Sequence, residues 1–206
     1  MVPTPGLEGY AGESPTRAPR RLPPQRLAYL MDAPAIAGLI CESVLALFPA
    51  FYTAQQTASA ARHFAHVDLQ PIEDRTYYVH VVAGEIVACG GWSRRHTGGT
   101  RFGDAAGGGR LLDPCTEPAR VRAQFVREDW TRHGLGRAIL ASSEAAAREE
   151  GFSRLELVAT LPSVPFYTAC GFEATSRVTL TMPDCVTLAA VAMERPIEGP
   201  VSPRRR

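Results

Sequence analysis

Residues 129–140 read DWTRHGLGRAIL, and they follow ARVRAQFV at 119–126. The first of these stretches decides how the chain folds. ARVRAQFV has the alternation of a strand. Arg132 and His133 then precede Gly134-Leu135-Gly136, and Ile139 and Leu140 continue at helical spacing. A glycine pair at a helix start serves either as a tight turn or as a cradle for an anion. The cradle has a physical basis. The first N–H groups of a helix have no internal acceptors, the helix dipole adds partial positive charge there, and glycines let the chain approach phosphate oxygens closely. Arg132 adds a full charge. The motif suits a diphosphate. A lysine-dependent phosphate loop is excluded, because all 22 basic residues counted as Lys or Arg are Arg. A dinucleotide fingerprint is also a poor fit, since Ile139 stands where the third glycine belongs.

The pattern extends in both directions. Residues 1–25 are rich in Pro, Arg and Gly without periodicity and read as a disordered tail, as does 198–206. RLAYLM at 26–31 reads as a first strand. Asp32 is placed to cap a helix carrying Ile36, Leu39, Ile40 and Val44. A second helix is expected over 54–66. TYYVHVVAGEIVACGGW at 76–92 reads as a hairpin turning at Ala83-Gly84. Residues 93–119 are glycine-dense and lose all period, which suits a disordered insertion or a lid. Beyond the Gly134 helix, which should stop near Gly151, SRLELVA reads as a strand, residues 165–170 as a helical turn, and SRVTLTM and VTLAAVAM as a last pair of strands around Pro183-Asp184. The expectation is one α/β domain over 26–197: a twisted, mostly antiparallel mixed sheet of six to seven strands flanked by about four helices.

Bulk properties narrow the class. Two hundred and six residues suffice for one domain with a core. A net charge of +1 gives no reason to expect nucleic acid. No apolar run approaches the length needed to span a bilayer, and no secretory h-region is visible. Cys41, Cys89, Cys115, Cys170 and Cys185 are scattered, with no metal-ligand spacing, which points to a reducing cytoplasm and no metal.

FVREDWTRHGLGRAIL at 125–140 resembles motif A of the GCN5-related N-acetyltransferase (GNAT) family, Q/R-x-x-G-x-G/A at the start of its central helix. Thr131, Arg132, His133, Gly134, Leu135 and Gly136 take the six positions, with Thr131 departing from the usual Gln or Arg. Glu128 stands where relatives often carry Pro. ATLPSVPFYTACGF at 159–172 resembles a later block of the same family, N-x-x-A-x-x-F/L-Y-x-x-x-G-F. Phe166, Tyr167, Gly171 and Phe172 match, while Thr160 and Ser163 replace Asn and Ala. The resemblance covers most of the chain, leaving out the tails and most of 93–119.

The resemblance implies an N-acetyltransferase that passes the acetyl group of acetyl-CoA directly to a primary amine of a small molecule or peptide. Residues 132–137, with Arg137 the last, would hold the diphosphate, and Thr131, Thr160, Ser163 and Phe166 would complete the cofactor site. The strand end at Phe125-Val126 would pair with pantetheine amides and orient the acetyl carbonyl. Tyr167 would act as general acid toward the leaving thiolate, being protonated at neutral pH; alternatively it only packs. Trp92 and Tyr52 are candidate walls of the acceptor pocket, or core aromatics. No general base is evident among Glu128, Asp129, His80 and Glu85. A non-catalytic acyl-CoA sensor on the same fold is the alternative, and the last strands suggest a possible homodimer.

Overall fold

In the computed structural model, residues 22–96 and 109–197 are described. Seven strands form one sheet: β1 (Gln25–Leu27), β2 (Tyr77–Val82), β3 (Glu85–Ser93), β4 (Ala119–Val126), β5 (Arg154–Thr160), β6 (Glu173–Thr181) and β7 (Thr187–Pro196), in the spatial order β1-β2-β3-β4-β5-β7-β6. Every neighbouring pair is antiparallel except β4–β5. That pair is joined only by Ala119↔Leu155 and Arg120↔Glu156, so the two strands part beyond Arg120 and leave a wedge in the middle of the sheet.

Helices cover both faces. α1 (Ala33–Leu47) buries Ile36, Leu39, Ile40 and Val44, a stripe at helical spacing. α2 (Ala54–Phe64) opens on a capping box, in which Thr53 Oγ1 accepts from the Gln56 N–H and Gln56 Oε1 accepts from the Thr53 N–H. Both pack on Tyr77, Val79, Cys89, Leu180 and Ala190. On the opposite face α4 (Leu135–Glu149) sets Leu135 and Ile139 against Val87 and Ala88, and Leu140 and Ala147 among Trp92, Leu155 and Phe172. α5 (Val164–Thr168) follows β5. α3 (Gln70–Glu73) is a single turn, too short to leave an apolar period in the sequence. The β2–β3 turn has φ of 50° at Ala83 and 87° at Gly84, the left-handed pair that a two-residue hairpin requires.

Four expectations change. Residues 23–25 are held against the sheet rather than forming a tail, since Gln25 opens β1, the Val81 N–H donates to Pro24 O and His80 Nδ1 lies against Pro23 O. The first strand stops at Leu27. Asp32 does not cap α1 with its side chain. Its carboxylate turns back to accept from Arg26 and from the Tyr29 N–H, drawing the chain into a 3-10 turn. Finally, the helical run Leu30–Ala50 is long and apolar enough to cross a bilayer by length and composition; its buried stripe is seated on the sheet. All five cysteines are free. Of residues 93–119, expected as an insertion or lid, 97–108 lie outside the described residues, as do 1–21 and 198–206; the two flanks are bridged, with the His96 N–H donating to Arg110 O, the Leu112 N–H donating to Arg94 O and Leu112 buried.

Helix α4 is also tied to the sheet by charge. Glu144 on α4 accepts from Arg148 one turn on and from Arg195 on β7, and the Glu144 and Arg195 side chains are largely withdrawn from water. Removing one member of such a cluster strands the other. Glu144→Ala is expected to cost about 2 kcal/mol, below the loss for a fully buried pair because some water reaches it. Urea denaturation at constant slope measures this.

Candidate active site

The wedge between β4 and β5 is the floor of a cleft of about 1150 Å³. One end is formed by the turn from β4 into α4. Gly134 is the N-cap with φ of 88°, and Arg132 before it is also left-handed, with φ of 60°. The first helical bond runs from the Ala138 N–H to Gly134 O. The N–H groups of Leu135, Gly136 and Arg137 therefore have no acceptor within the helix and stand at the positive end of a fifteen-residue dipole. Arg132, Gly134, Leu135, Gly136 and Arg137 all line the cleft. A Cβ on Gly136 would lie 3.3 Å from the Phe166 ring, so the absence of a side chain lets α5 close against the helix mouth.

Two motif residues have other tasks. Thr131 spends its N–H and hydroxyl on Glu128 O, at 3.1 and 2.8 Å, so it holds the turn rather than offering those donors to an anion. His133 folds inward, with Nδ1 2.8 Å from Thr131 O and its ring against Trp130, and is not among the cleft-lining residues. Thr160 and Ser163 line the opposite wall and are bonded to each other, Ser163 Oγ donating to Thr160 O at 2.8 Å. Arg137 reaches Ala169 O across the mouth.

β4 makes the middle of the cleft. Its pairing with β3 runs Gly91↔Arg122 and then Cys89↔Phe125, so Gly90 alone of β3 stands against two residues of β4. The extra residue is a bulge at Ala123-Gln124, with Ala123 at φ of 41°. The Tyr77 hydroxyl donates to Ala123 O at 2.8 Å and pins the bulge. Beyond Arg120 the β5-facing edge of β4, including Phe125 and Val126, has no strand partner.

Tyr167 lines the cleft with its ring packed between Phe166 and Phe172. Its hydroxyl is 3.1 Å from Gln124 Oε1. Burial holds the phenol well above its ordinary range, so the proton stays on oxygen at neutral pH.

The two proposed acceptor-wall aromatics are not walls. Trp92 is fully buried, edge-on to Phe152 in the core under α4, and does not reach the cleft. Tyr52 is buried, its hydroxyl donating to Ala189 O and accepting from the Leu161 N–H, each at 2.8 Å. It ties α2's entry to β7 and to the turn after β5. The candidate bases are also elsewhere. His80 is buried beside β1 with Nδ1 2.9 Å from Pro23 O, and burial lowers its pKa. Glu85 and Asp129 both pair with Arg127 on the surface. Among the described residues, the carboxylates that do line the cleft are Asp68, Glu156 and Glu194. Asp68 faces Arg122 at 3.4 Å and Glu156 pairs with Arg120 at 2.7 Å. Residues such as Asp68 follow no motif; strand alternation alone places Arg120, Arg122 and Glu156 on one sheet face.

The fold recurs in solved structures. A GCN5-related N-acetyltransferase from Rhodopseudomonas palustris superposes with a TM-score of 0.66 at 18% identity, covering 85% of this chain and 96% of that one. PaiA N-acetyltransferase from Thermoplasma acidophilum, solved in complex with coenzyme A, gives 0.62 at 12% identity over 84% and 98% of the two chains. The ribosomal-protein-S18-alanine N-acetyltransferase of Escherichia coli gives 0.51 at 16% identity over 86% and 95%. At these identities the likeness is one of fold. A search among curated proteins found no match. The decisive match is to the family model: residues 42–172 fit the acetyltransferase (GNAT) family, so the strand wedge, the glycine-opened helix and the tyrosine turn belong to one established scaffold, and the chain belongs to the GNAT acetyltransferase family.

Proposed function

We propose that the protein is an N-acetyltransferase that binds acetyl-CoA and a primary amine together and passes the acetyl group directly between them. The observation that carries this reading is the wedge itself. A helix mouth whose first N–H groups have no acceptor within the helix stands at one end, the edge of β4 that has no strand partner beyond Arg120 runs along it, with Val126 O taken by Ser43 Oγ, and a protonated phenol closes the wall. The N–H groups of residues 135–137 and Arg132 take the diphosphate. The free edge of β4 hydrogen-bonds the pantetheine arm, and a backbone N–H there receives the developing oxyanion. The amine enters from the side lined by Asp68, Arg122 and Glu156, where it attacks the thioester carbon. The carbon–sulfur electron pair leaves with sulfur, which takes the Tyr167 proton. The amine's surplus proton passes to solvent, and phenolate recovers a proton from water. Holding the reactants in line supplies much of the rate, because a thioester is already reactive toward a neutral amine.

Two measurements test this. Acetyl-CoA should raise the melting temperature where ATP and NAD do not. A panel of spermidine, lysine, glycinamide, an aminoglycoside and an alanine-ended peptide should then reveal a substrate by release of free thiol. Stabilisation by acetyl-CoA with no thiol release from any amine would favour the sensor reading. Gly136→Val provides a sharper check of the diphosphate site. The new side chain must displace the Phe166 ring, and acetyl-CoA binding is expected to weaken about tenfold by titration calorimetry. Unchanged affinity would remove the helix mouth from the account.

A further inference from the structure

Gln124 sits on the bulge of β4, between the two parts of the site that must act together. Its Nε2 donates to Gly136 O in the first turn of α4, and its Oε1 lies 3.1 Å from the Tyr167 hydroxyl. These bonds fix the amide's orientation. A carbonyl oxygen only accepts, so the NH₂ end must face Gly136 and the oxygen end must face Tyr167. The phenol is therefore the donor.

The backbone is shaped around this side chain. A Cβ on Gly90 would lie 2.9 Å from both Cα and Cγ of Gln124, so any other residue at position 90 would collide with it. The β3–β4 register slips at the same place. The bulge, the bare glycine opposite and the doubly bonded amide are three observations of one built feature.

We propose that Gln124 is a positioning residue that sets the acid Tyr167 in register with the helix that holds the diphosphate, a role that rests on the acetyl-transfer reading above. Gly136 O and the Arg137 N–H are the two ends of one peptide group. An anion on that N–H polarises the carbonyl and strengthens its bond from Gln124. Binding at the helix mouth thereby firms the support of the phenol. The neutral amide also suits the proton transfer. Before reaction, Oε1 holds the phenolic hydrogen weakly. When the carbon–sulfur bond breaks, the hydrogen turns from Oε1 to the departing sulfur. A carboxylate in the same place would grip that hydrogen by a charge-assisted bond and would face Gly136 O with a repelling oxygen.

Three variants test the role, each checked for folding by its melting temperature and assayed by thiol release with the fastest amine of the panel above. Gln124→Leu is expected to lower kcat about tenfold while the acetyl-CoA KM stays within about twofold. In a Tyr167→Phe background the same change should cost no further kcat, because it acts through the phenol. Gln124→Glu should be slow at pH 8, and its rate relative to wild type should recover as pH falls, because a protonated Glu reproduces the amide's donor and acceptor. A merely structural role moves neither the cycle nor the pH ratio. Wild-type kcat in Gln124→Leu, equal losses in the Tyr and Phe backgrounds, or a flat Gln124→Glu ratio would overturn the assignment. Should Gln124→Leu fail to fold, the pH ratio of Gln124→Glu decides alone. Failure of the acid reading itself looks different: Tyr167→Phe would then turn over at the wild-type rate.

Discussion

Tyr167→Phe is expected to lower kcat about a hundredfold while leaving acetyl-CoA affinity nearly unchanged, the signature of an interaction made only as the thiolate departs. The ring stays, so its packing with Phe166 and Phe172 stays too. Only the hydroxyl is lost. Stability should move little, because Gln124 loses one acceptor bond and keeps its bond to Gly136 O. The pH dependence sharpens the test. Burial raises the phenol's pKa, so the folded state favours the neutral form. That contribution to stability is full below the unfolded pKa near 10 and is lost as pH rises from there through the higher folded value. Between pH 6 and 9 the phenol keeps its proton, and any change of rate there reports the acceptor amine or another group. An unaltered kcat would leave Tyr167 as core packing and remove the acid from the mechanism.

The sequence carried the helix mouth and this tyrosine because both depend on local chemistry. A glycine with positive φ and a helix start are neighbours along the chain, so Gly134 and the strand before it are readable together. The hairpin at Ala83-Gly84 is readable for the same reason. The bulge is not. Nothing in ARVRAQFV marks Ala123 as the residue that turns left-handed, because the slip arises from pairing with β3, a strand distant in the sequence. Gln124 is accordingly invisible as a site residue until Gly90, Gly136 and Tyr167 are brought around it. The aromatics misled for a related reason. Trp92 borders an unpatterned segment and Tyr52 lies between two expected helices, positions that suit a pocket wall as well as a core, and burial alone separates the two. Asp68 and Arg122 meet across 54 residues, a separation that no motif spans.

Gly91→Val is expected to destabilise the protein by about 3 kcal/mol, at the upper end for an overpacked interior. A Cβ at position 91 would fall 2.2 Å from Thr76 O and 2.8 Å from Tyr77 Cα. Both are backbone atoms at the start of the neighbouring strand, so no rotamer change relieves the clash and the two strands must move apart. Thr76 O also accepts the Trp92 N–H, and that bond would be strained with them. For a chain of this length the melting temperature should fall by about 6–12 °C. Gly38→Ala is the matched control. Its Cβ would meet nothing within 4 Å, in the middle of α1, and it should stabilise by about 0.5–1 kcal/mol through better helix propensity. The consequence for function follows from register. Gly91 lies opposite Tyr77 on one side and Arg122 on the other, and the Tyr77 hydroxyl pins Ala123 O at the bulge. Pushing β2 away from β3 loosens that pin, so thiol release in Gly91→Val should drop even well below its melting temperature, where Gly38→Ala is unaffected. Equal melting temperatures for the two variants would mean that β2 and β3 pair less closely at Gly91 than described, and the support of the bulge would then have to come from elsewhere.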